Sequence, residues 1–465
     1  MTFAFIYYAA SFLISLINPF WGLVGFICSL LLRFQDHYPQ LNMIKPFTLL
    51  LMGMVLSCII HKDKLSKLSW KQDKLISYML LLSIVGLLIM NPRAIIGETY
   101  LFICSIALYY FASRILQTPM QFIILFTCMG ISVAYLGYLA IEDVARFPKT
   151  TEYIDHATGR WQGLGYYANS NEFGQLMITT VPFLLAAILI RKSILLAALS
   201  VALMGVMFYV MVKSESRTVM VTLGLMFMGT FMLRGKGNIV KKGIVGGVMA
   251  VVMLVALSFT PGPIQERMST VLDANNDESF QGRTRSWDHG FAMLSWYPIT
   301  GVGKGQWMEY HGLMPHNSYV QVMAEMGIFG IALYLWIIWR SLLQFKRIFA
   351  NPEAQESKKA PPSLFEDTDE SYEEVKTVDE ALAEKQEASD NSHKPAPLTN
   401  LEKSVAIAGF VTFAGWLLYI FLGNQGYSIW MYFYLGLCAA YGNYLGQPEP
   451  EIQQRSTLFE EQTAS

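Results

Sequence analysis

Residues 191–218 read RKSILLAALSVALMGVMFYVMVKSESRT: a basic pair, an apolar run over 193–212, then a charged turn over 213–217. A spanning helix needs roughly 20 mostly apolar residues, so this run fits one crossing, framed by charge at both ends. The same pattern recurs over 4–33, 44–60, 75–90, 95–113, 119–141, 173–190, 218–233, 243–259, 317–343, 403–422 and 427–446. The whole chain of 465 residues is 53% hydrophobic and 15% charged, against about 25% charged residues in a soluble domain. It is therefore expected to be an all-α polytopic membrane protein with about 12–13 transmembrane helices. The run 4–33 is too long for one untilted span and is interrupted by Asn18-Pro19, so it reads as one helix or as two short ones. The side of the N-terminus depends on that choice. Residues 1–18 lack a basic n-region and a small-residue cleavage site, so they are expected to be retained. Cys28, Cys58, Cys104, Cys128 and Cys438 all fall in apolar segments without CxxC spacing, which argues against a structural zinc site.

Short loops rich in Lys and Arg stay on the cytoplasmic side. Lys62, Lys64, Lys67, Lys71 and Lys74 mark one such loop, Arg191-Lys192 and the group Arg234, Lys236, Lys241, Lys242 mark two more, and Lys346-Arg347 opens a fourth. Threading helices between them places the turn 91–93, the loop 142–172, the turn 213–217 and the loop 260–316 on the outer face. The two longer ones offer room for chemistry. Residues 351–402 are dense in Glu, Asp, Lys, Ser and Pro, and read as a disordered acidic cytoplasmic insertion. The expected organisation is N-terminal transmembrane helices over 1–141, a membrane core with its outer loops over 142–350, the insertion over 351–402, a helix pair over 403–446 and a cytoplasmic tail over 447–465.

Several outer-face residues suit chemistry on an anion. Arg217 lies at a helix mouth, where the orientation rule disfavours cations; it either faces an aqueous cavity or snorkels to head groups with Glu215 as partner. Arg283 and Arg285 add fixed positive charge in the long loop. Guanidinium forks match phosphate oxygens bidentately, whereas a structural salt bridge with Asp277, Glu278 or Asp288 is the alternative. The run Gly301-x-Gly303-x-Gly305 opens no strand-to-helix unit and is a weak signal by itself. His316, between Pro315 and Asn317, is placed to act as a general base near neutral pH or as a satisfied structural residue. Glu325, nine residues on, points away from His316 and is expected to pack within the bundle; Gly327 and Gly330 let helices approach closely. The loop 142–172 ends with Gly159-Arg160-Trp161 and then the pair Asn169 and Asn171, which either caps the next helix or holds sugar hydroxyls. Trp161, Tyr166 and Tyr167 read as an interfacial belt or a sugar-stacking platform.

The stretch His316-Asn317, nine residues, Gly327, two residues, Gly330 resembles the outer-loop signature of the O-antigen ligase superfamily, which includes Wzy-type polymerases and protein O-oligosaccharyltransferases. Arg160, Gly163 and Asn171, then Arg217, then Arg283, Trp287, Pro298, Gly301 and Gly303 agree with it in order. The N-terminal part looks more loosely like the O-glycosylation ligases associated with exosortase systems. The resemblance implies a GT-C-like helical bundle in the bacterial inner membrane, with its active face periplasmic. It implies a donor glycan on undecaprenyl pyrophosphate, an acceptor hydroxyl on a protein Ser/Thr or a lipid, no metal and no cofactor; contact with membrane lipid is expected and nucleic acid is not. On this resemblance His316 activates the acceptor, Arg217 with Arg283 or Arg285 binds the pyrophosphate, and Arg160, Asn171 and Asn317 contact glycan or acceptor. A polymerase of the same superfamily is the near alternative. A lipid or polysaccharide transporter is the distant one, disfavoured because the charges gather at the outer rim rather than at the bilayer midplane.

Overall fold

The computed structural model describes residues 1–67, 70–190, 193–234, 278–349, 398–423 and 425–445. Arg191-Lys192, the lysines Lys236, Lys241 and Lys242, the span expected over 243–259 and most of the acidic insertion lie outside them. The described chain is all-helical apart from one isolated bridge between Ile154 and Trp161. In order, the α-helices longer than a single turn are α1 (Thr2–Ile17), α2 (Pro19–Leu32), α3 (Pro46–Ile60), α4 (Trp70–Met90), α5 (Ile95–Ile115), α6 (Pro119–Arg146), α7 (Ser170–Ile178), α8 (Val181–Ile190), α9 (Ile194–Lys213), α10 (Arg217–Arg234), α11 (Glu278–Trp296), α12 (Ser318–Leu343), α13 (Asn400–Phe421) and α14 (Ile429–Leu445). Among the described residues, seven spans, with α7 and α8 counted together, are long and apolar enough to cross a membrane, and α1 and α3 are shorter apolar helices. The protein is an all-α polytopic membrane protein.

The first apolar run is two helices. Asn18 stops α1 in an extended conformation, and its side-chain oxygen accepts hydrogen bonds from the amides of Phe20 and Trp21, while Pro19 starts α2 at the position where a missing N–H is harmless. His61, next to the first basic loop, hydrogen-bonds the carbonyl of Leu16 at 3.0 Å. The other end of α1 packs through Phe3 and Tyr7 on Phe34, beyond the end of α2. The N-terminus therefore lies at the end of the bundle opposite the basic loops.

Among the described residues, the loops fall at two ends of the bundle. At the basic end, Arg114 of α5 and Asp73 of α4 form a buried ion pair at 2.5 Å, and Tyr109 donates to the same carboxylate. Gln72 donates to Ser341 of α12, Arg234 of α10 to Ser404 of α13, and Asn443 of α14 to the carbonyl of Ser113. At the far end, Asn91 donates to Gln306 at 2.6 Å and the amide of Trp161 to the carbonyl of Lys213 at 3.1 Å.

The expected span over 173–190 is present as one crossing, Ser170–Ile190, with a local turn between α7 and α8 just before Pro182, whose ring removes a backbone donor. Two sequence expectations need correction. The described part of the expected loop 260–316 is built around α11, a helix that a hydropathy scan misses because most of its residues are polar. α11 lies against α12, where Gly290 lets Val320 and Trp307 come so close that a Cβ would meet them at 2.5 and 3.0 Å. Gly327 is a break in α12 rather than a site of helix contact. With φ 67° and ψ −168° it frees the amide of Ile328, which donates to the carbonyl of Pro298 at 2.9 Å. The amides of Val302 and Gly303 likewise donate to the carbonyls of Ala324 and Glu325, so the turn after α11 is sewn along the side of α12.

Candidate active site

The glycines around 301–305 serve this turn. Gly301, Gly303 and Gly305 all have positive φ, and a Cβ on Gly301 would lie 2.5 Å from the amide of Met326. Glu325, fully buried as expected, accepts from the amides of Gly305 at 2.8 Å and Trp307 at 3.2 Å. Lys304 reaches across to Glu98 of α5 at 2.7 Å. The result is a fixed platform joining α4, α5, α11 and α12. Glu98 and Lys304 escaped the sequence reading, though an acid in the first turn of an apolar helix is a signal of a partner.

His316 follows this platform. Asn317 is buried and caps α12, its Oδ1 accepting from the amides of Tyr319 and Val320 at 2.9 and 3.1 Å. That role accounts for its oxygen, so the structure makes Asn317 a fixture of the histidine's backbone. His316 itself adopts a left-handed conformation, φ 48°, uncommon for a residue with a Cβ and a mark of a constrained site. On its other side, the indole Nε1 of Trp287 donates to the carbonyl of Pro315 at 2.7 Å. The imidazole is half-buried. Burial first, and the nearby positive charge of Arg283 second, hold its pKa below the ordinary histidine value. Near neutral pH it therefore carries a free nitrogen lone pair, the form a general base needs.

The structure separates the two loop arginines. Arg283 on α11 acts electrostatically on His316 and also on Tyr419 of α13. Arg285 sits two residues on, more than half a turn around the helix, and is exposed.

A second cluster forms around the mouth of α10. Arg160 donates through Nε to the carbonyl of Ser214 and through Nη2 to Asn171 Oδ1, both at 2.9 Å, and Ser216 donates to the same oxygen at 2.8 Å. Asn169 supplies the cap of α7, which leaves Asn171 to bind the loop 160–161 to the turn that presents Arg217. Neither Trp161 nor Tyr167 can belong to an interfacial belt: Trp161 is buried against Tyr209, and Tyr167 is buried with its hydroxyl donating to the carbonyl of Leu30. Tyr166 remains exposed beneath the guanidinium of Arg33, 5.2 Å from its ring centre.

Gln425, between α13 and α14, connects the two clusters. Its side chain donates to Glu172 at 3.0 Å and accepts from the Tyr166 hydroxyl at 3.1 Å, while its amide donates to Ser318 Oγ at 2.9 Å, two residues beyond His316. Glu172 follows Asn171 directly. A cleft walled by Tyr166, Glu172, Gln175, Trp416, Tyr419 and Gln425 lies between them. Nothing in the sequence marks Gln425 or Tyr419, which stand in ordinary apolar or turn surroundings.

Residues 202–335 match the family described as O-Antigen ligase. The matched stretch holds Arg217, Arg283, Arg285, His316, Gly327 and Gly330, whereas Arg160, Gly163 and Asn171 lie before it, and the match supports a likeness of this region to the O-antigen ligase and Wzy-type superfamily. Members of that family are glycosyltransferase-like ligases. No curated protein matches the chain.

Proposed function

We propose that the protein transfers a glycan from undecaprenyl pyrophosphate to an acceptor hydroxyl, on a protein or a lipid, at the periplasmic face of the bacterial inner membrane. What supports this reading is that His316, half-buried and with its pKa lowered by burial and then by the charge of Arg283, lies at the end of the bundle that also presents Arg217 and Arg160, and that His316, Arg283 and Arg217 fall inside the stretch that matches the ligase family. The neutral imidazole of His316 takes the proton of the acceptor hydroxyl as its oxygen attacks the anomeric carbon. The bond to the pyrophosphate oxygen breaks, and Arg283 and Arg217 meet the charge that develops on the leaving group, where fixed donors are worth most. Arg160 and Asn171, already joined to the turn before Arg217, hold that turn and line the approach for sugar hydroxyls.

The test is transfer from a purified lipid-linked donor in metal-chelated buffer, comparing the wild type with His316→Ala at equal protein level. Transfer that disappears in the variant supports the reading, and equal transfer removes His316 from it. Supplying a second lipid-linked glycan as the only acceptor separates a polymerase, which elongates it, from a ligase, which does not.

A further inference from the structure

Helix α11 changes character along its axis. The exposed residues of its first half, Gln281, Arg285, Asp288 and His289, are polar or charged, whereas those that follow, Phe291, Trp296, Tyr297, Pro298 and Ile299, are apolar but for Ser295 among them. Trp296 is 59% exposed and Ile299 62%. The neighbours of this apolar end give its level. Gly290 meets Val320, and the carbonyl of Pro298 accepts from the amide of Ile328, so α11 descends beside α12 over eight residues of each, roughly 12 Å at 1.5 Å per residue. The carbonyl of Thr300 then stands against Gly86, where a Cβ would meet it at 3.3 Å. Gly86 lies four residues inside the spanning helix α4, counted from Met90 at the end far from the basic loops. On either side the exposed residues are Val85 and Ile89 of α4 and Ile328 and Phe329 of α12. The turn therefore joins the flanks that two spanning helices present to lipid.

We infer that residues 296–300 form a re-entrant turn immersed in the leaflet at the far end of the bundle, with Trp296, Tyr297 and Ile299 against lipid and the polar half of α11 in water. The inference goes beyond the transferase reading and stands without it. Irregular backbone at membrane depth persists only where protein satisfies its polar groups. Here α12 supplies the partners. Broken at Gly327, it gives the amide of Ile328 to Pro298, and its carbonyls at Ala324 and Glu325 accept from Val302 and Gly303. The amide of Gly301 turns back on the carbonyl of Tyr297. The side chains come in the order that an interface sorts them, Trp296 and Tyr297 at the headgroup level and Ile299 beneath. Lipid, which covers the exposed flanks on both sides, is the occupant that fits. Because α11 also carries Trp287 and Arg283, the turn fixes the height at which that helix stands over the membrane.

The experiment places a nitroxide on the full-length protein at Trp296→Cys, Ile299→Cys and Asp288→Cys in nanodiscs of phosphatidylethanolamine and phosphatidylglycerol, with the unsubstituted protein as the baseline for its own cysteines. Collisions with oxygen, which partitions into lipid, are compared with collisions with a water-soluble nickel chelate. Oxygen should dominate at 296 and 299, and nickel at 288. Nickel dominating at 299 puts the turn in water and overturns the assignment. Few collisions with either reagent at 296 and 299 mean that protein, such as a second copy of the chain, covers the turn, and this overturns it as well. A second measurement needs no label. Lipids brominated high on their acyl chains should quench less of the fluorescence in Trp296→Phe than in the wild type, since the variant lacks one lipid-facing member of the ten tryptophans; an unchanged quenched fraction counts against immersion.

Discussion

Trp287 holds the carbonyl of Pro315, one residue before His316, through a 2.7 Å hydrogen bond from its indole. This contact ties the polar helix α11 to the backbone that sets the imidazole at φ 48°. Trp287→Phe keeps the ring and loses the donor. A neutral hydrogen bond contributes about 1 kcal/mol, so transfer at saturating donor should fall roughly fivefold while the donor KM stays unchanged. A KM that rises in step with the fall in rate would mean that Trp287 serves the donor rather than the histidine.

His316→Ala should lower transfer by about 10² to 10⁴, the usual contribution of a positioned base, with the protein still inserted and donor lipid still bound. Measuring donor binding alongside turnover distinguishes this from misfolding.

The pH profile gives a sharper test. His316 has its pKa depressed, chiefly by burial and further by Arg283, so the base form persists below the ordinary histidine range. Activity should fall on the acid side at a pH below about 6.5, the unperturbed histidine value. Removing the cation relieves the repulsion of the imidazolium, so in Arg283→Gln the acid limb should move to higher pH. A limb that stays in place would place Arg283 out of electrostatic reach of the base.

Arg217→Ala and Arg285→Ala should differ. Arg217 lies beside the cluster of Arg160, Asn171 and Ser216, and its loss should weaken donor affinity by about tenfold, within the range for a hydrogen bond to a charged group. Arg285 is exposed on α11, and its loss should leave affinity within about twofold, as for most surface substitutions. Titration of both variants with one donor preparation checks the contrast.

Gly327→Ala should destabilise the fold by about 2 kcal/mol or more. At φ 67° a Cβ would meet the carbonyl oxygen of Ile299 at 2.4 Å, and backbone cannot step aside as a side chain can. Thermal unfolding in detergent reads the loss; a Gly330→Ala variant, whose Cβ would instead meet the Met326 side chain, serves as comparison.

Hydropathy and charge order made most of the fold legible, because the price of unsatisfied backbone in lipid leaves so few solutions for an apolar run. The expected sorting of loops into two ends came from the four basic clusters that begin at Lys62, Arg191, Arg234 and Lys346. α11 was illegible by the same scan: its partners, Val320 and Trp307, lie far along the chain, and its own residues look like those of a solvated loop. His316 and both arginines were visible as candidates, but the electrostatic influence of Arg283 on the imidazole and the exposure of Arg285 were not, since 283 and 285 differ by rotation around a helix that the sequence reading did not contain. Gln425 was invisible for another reason. It is a lone amide in a short turn, and its importance comes wholly from what three distant segments bring to it.

That position of Gln425 has a consequence for biogenesis. Every residue proposed to touch the donor's phosphates or the acceptor lies before residue 350, yet the amide that joins Glu172, Tyr166 and Ser318 arrives only with the turn between α13 and α14. A ribosome that has already delivered His316 still has α12, the acidic insertion and α13 to synthesise before the two clusters are fastened together. The proposed site is thus completed among the last events of synthesis, and a nascent chain stalled in the insertion holds every group of that proposal without the amide that joins them.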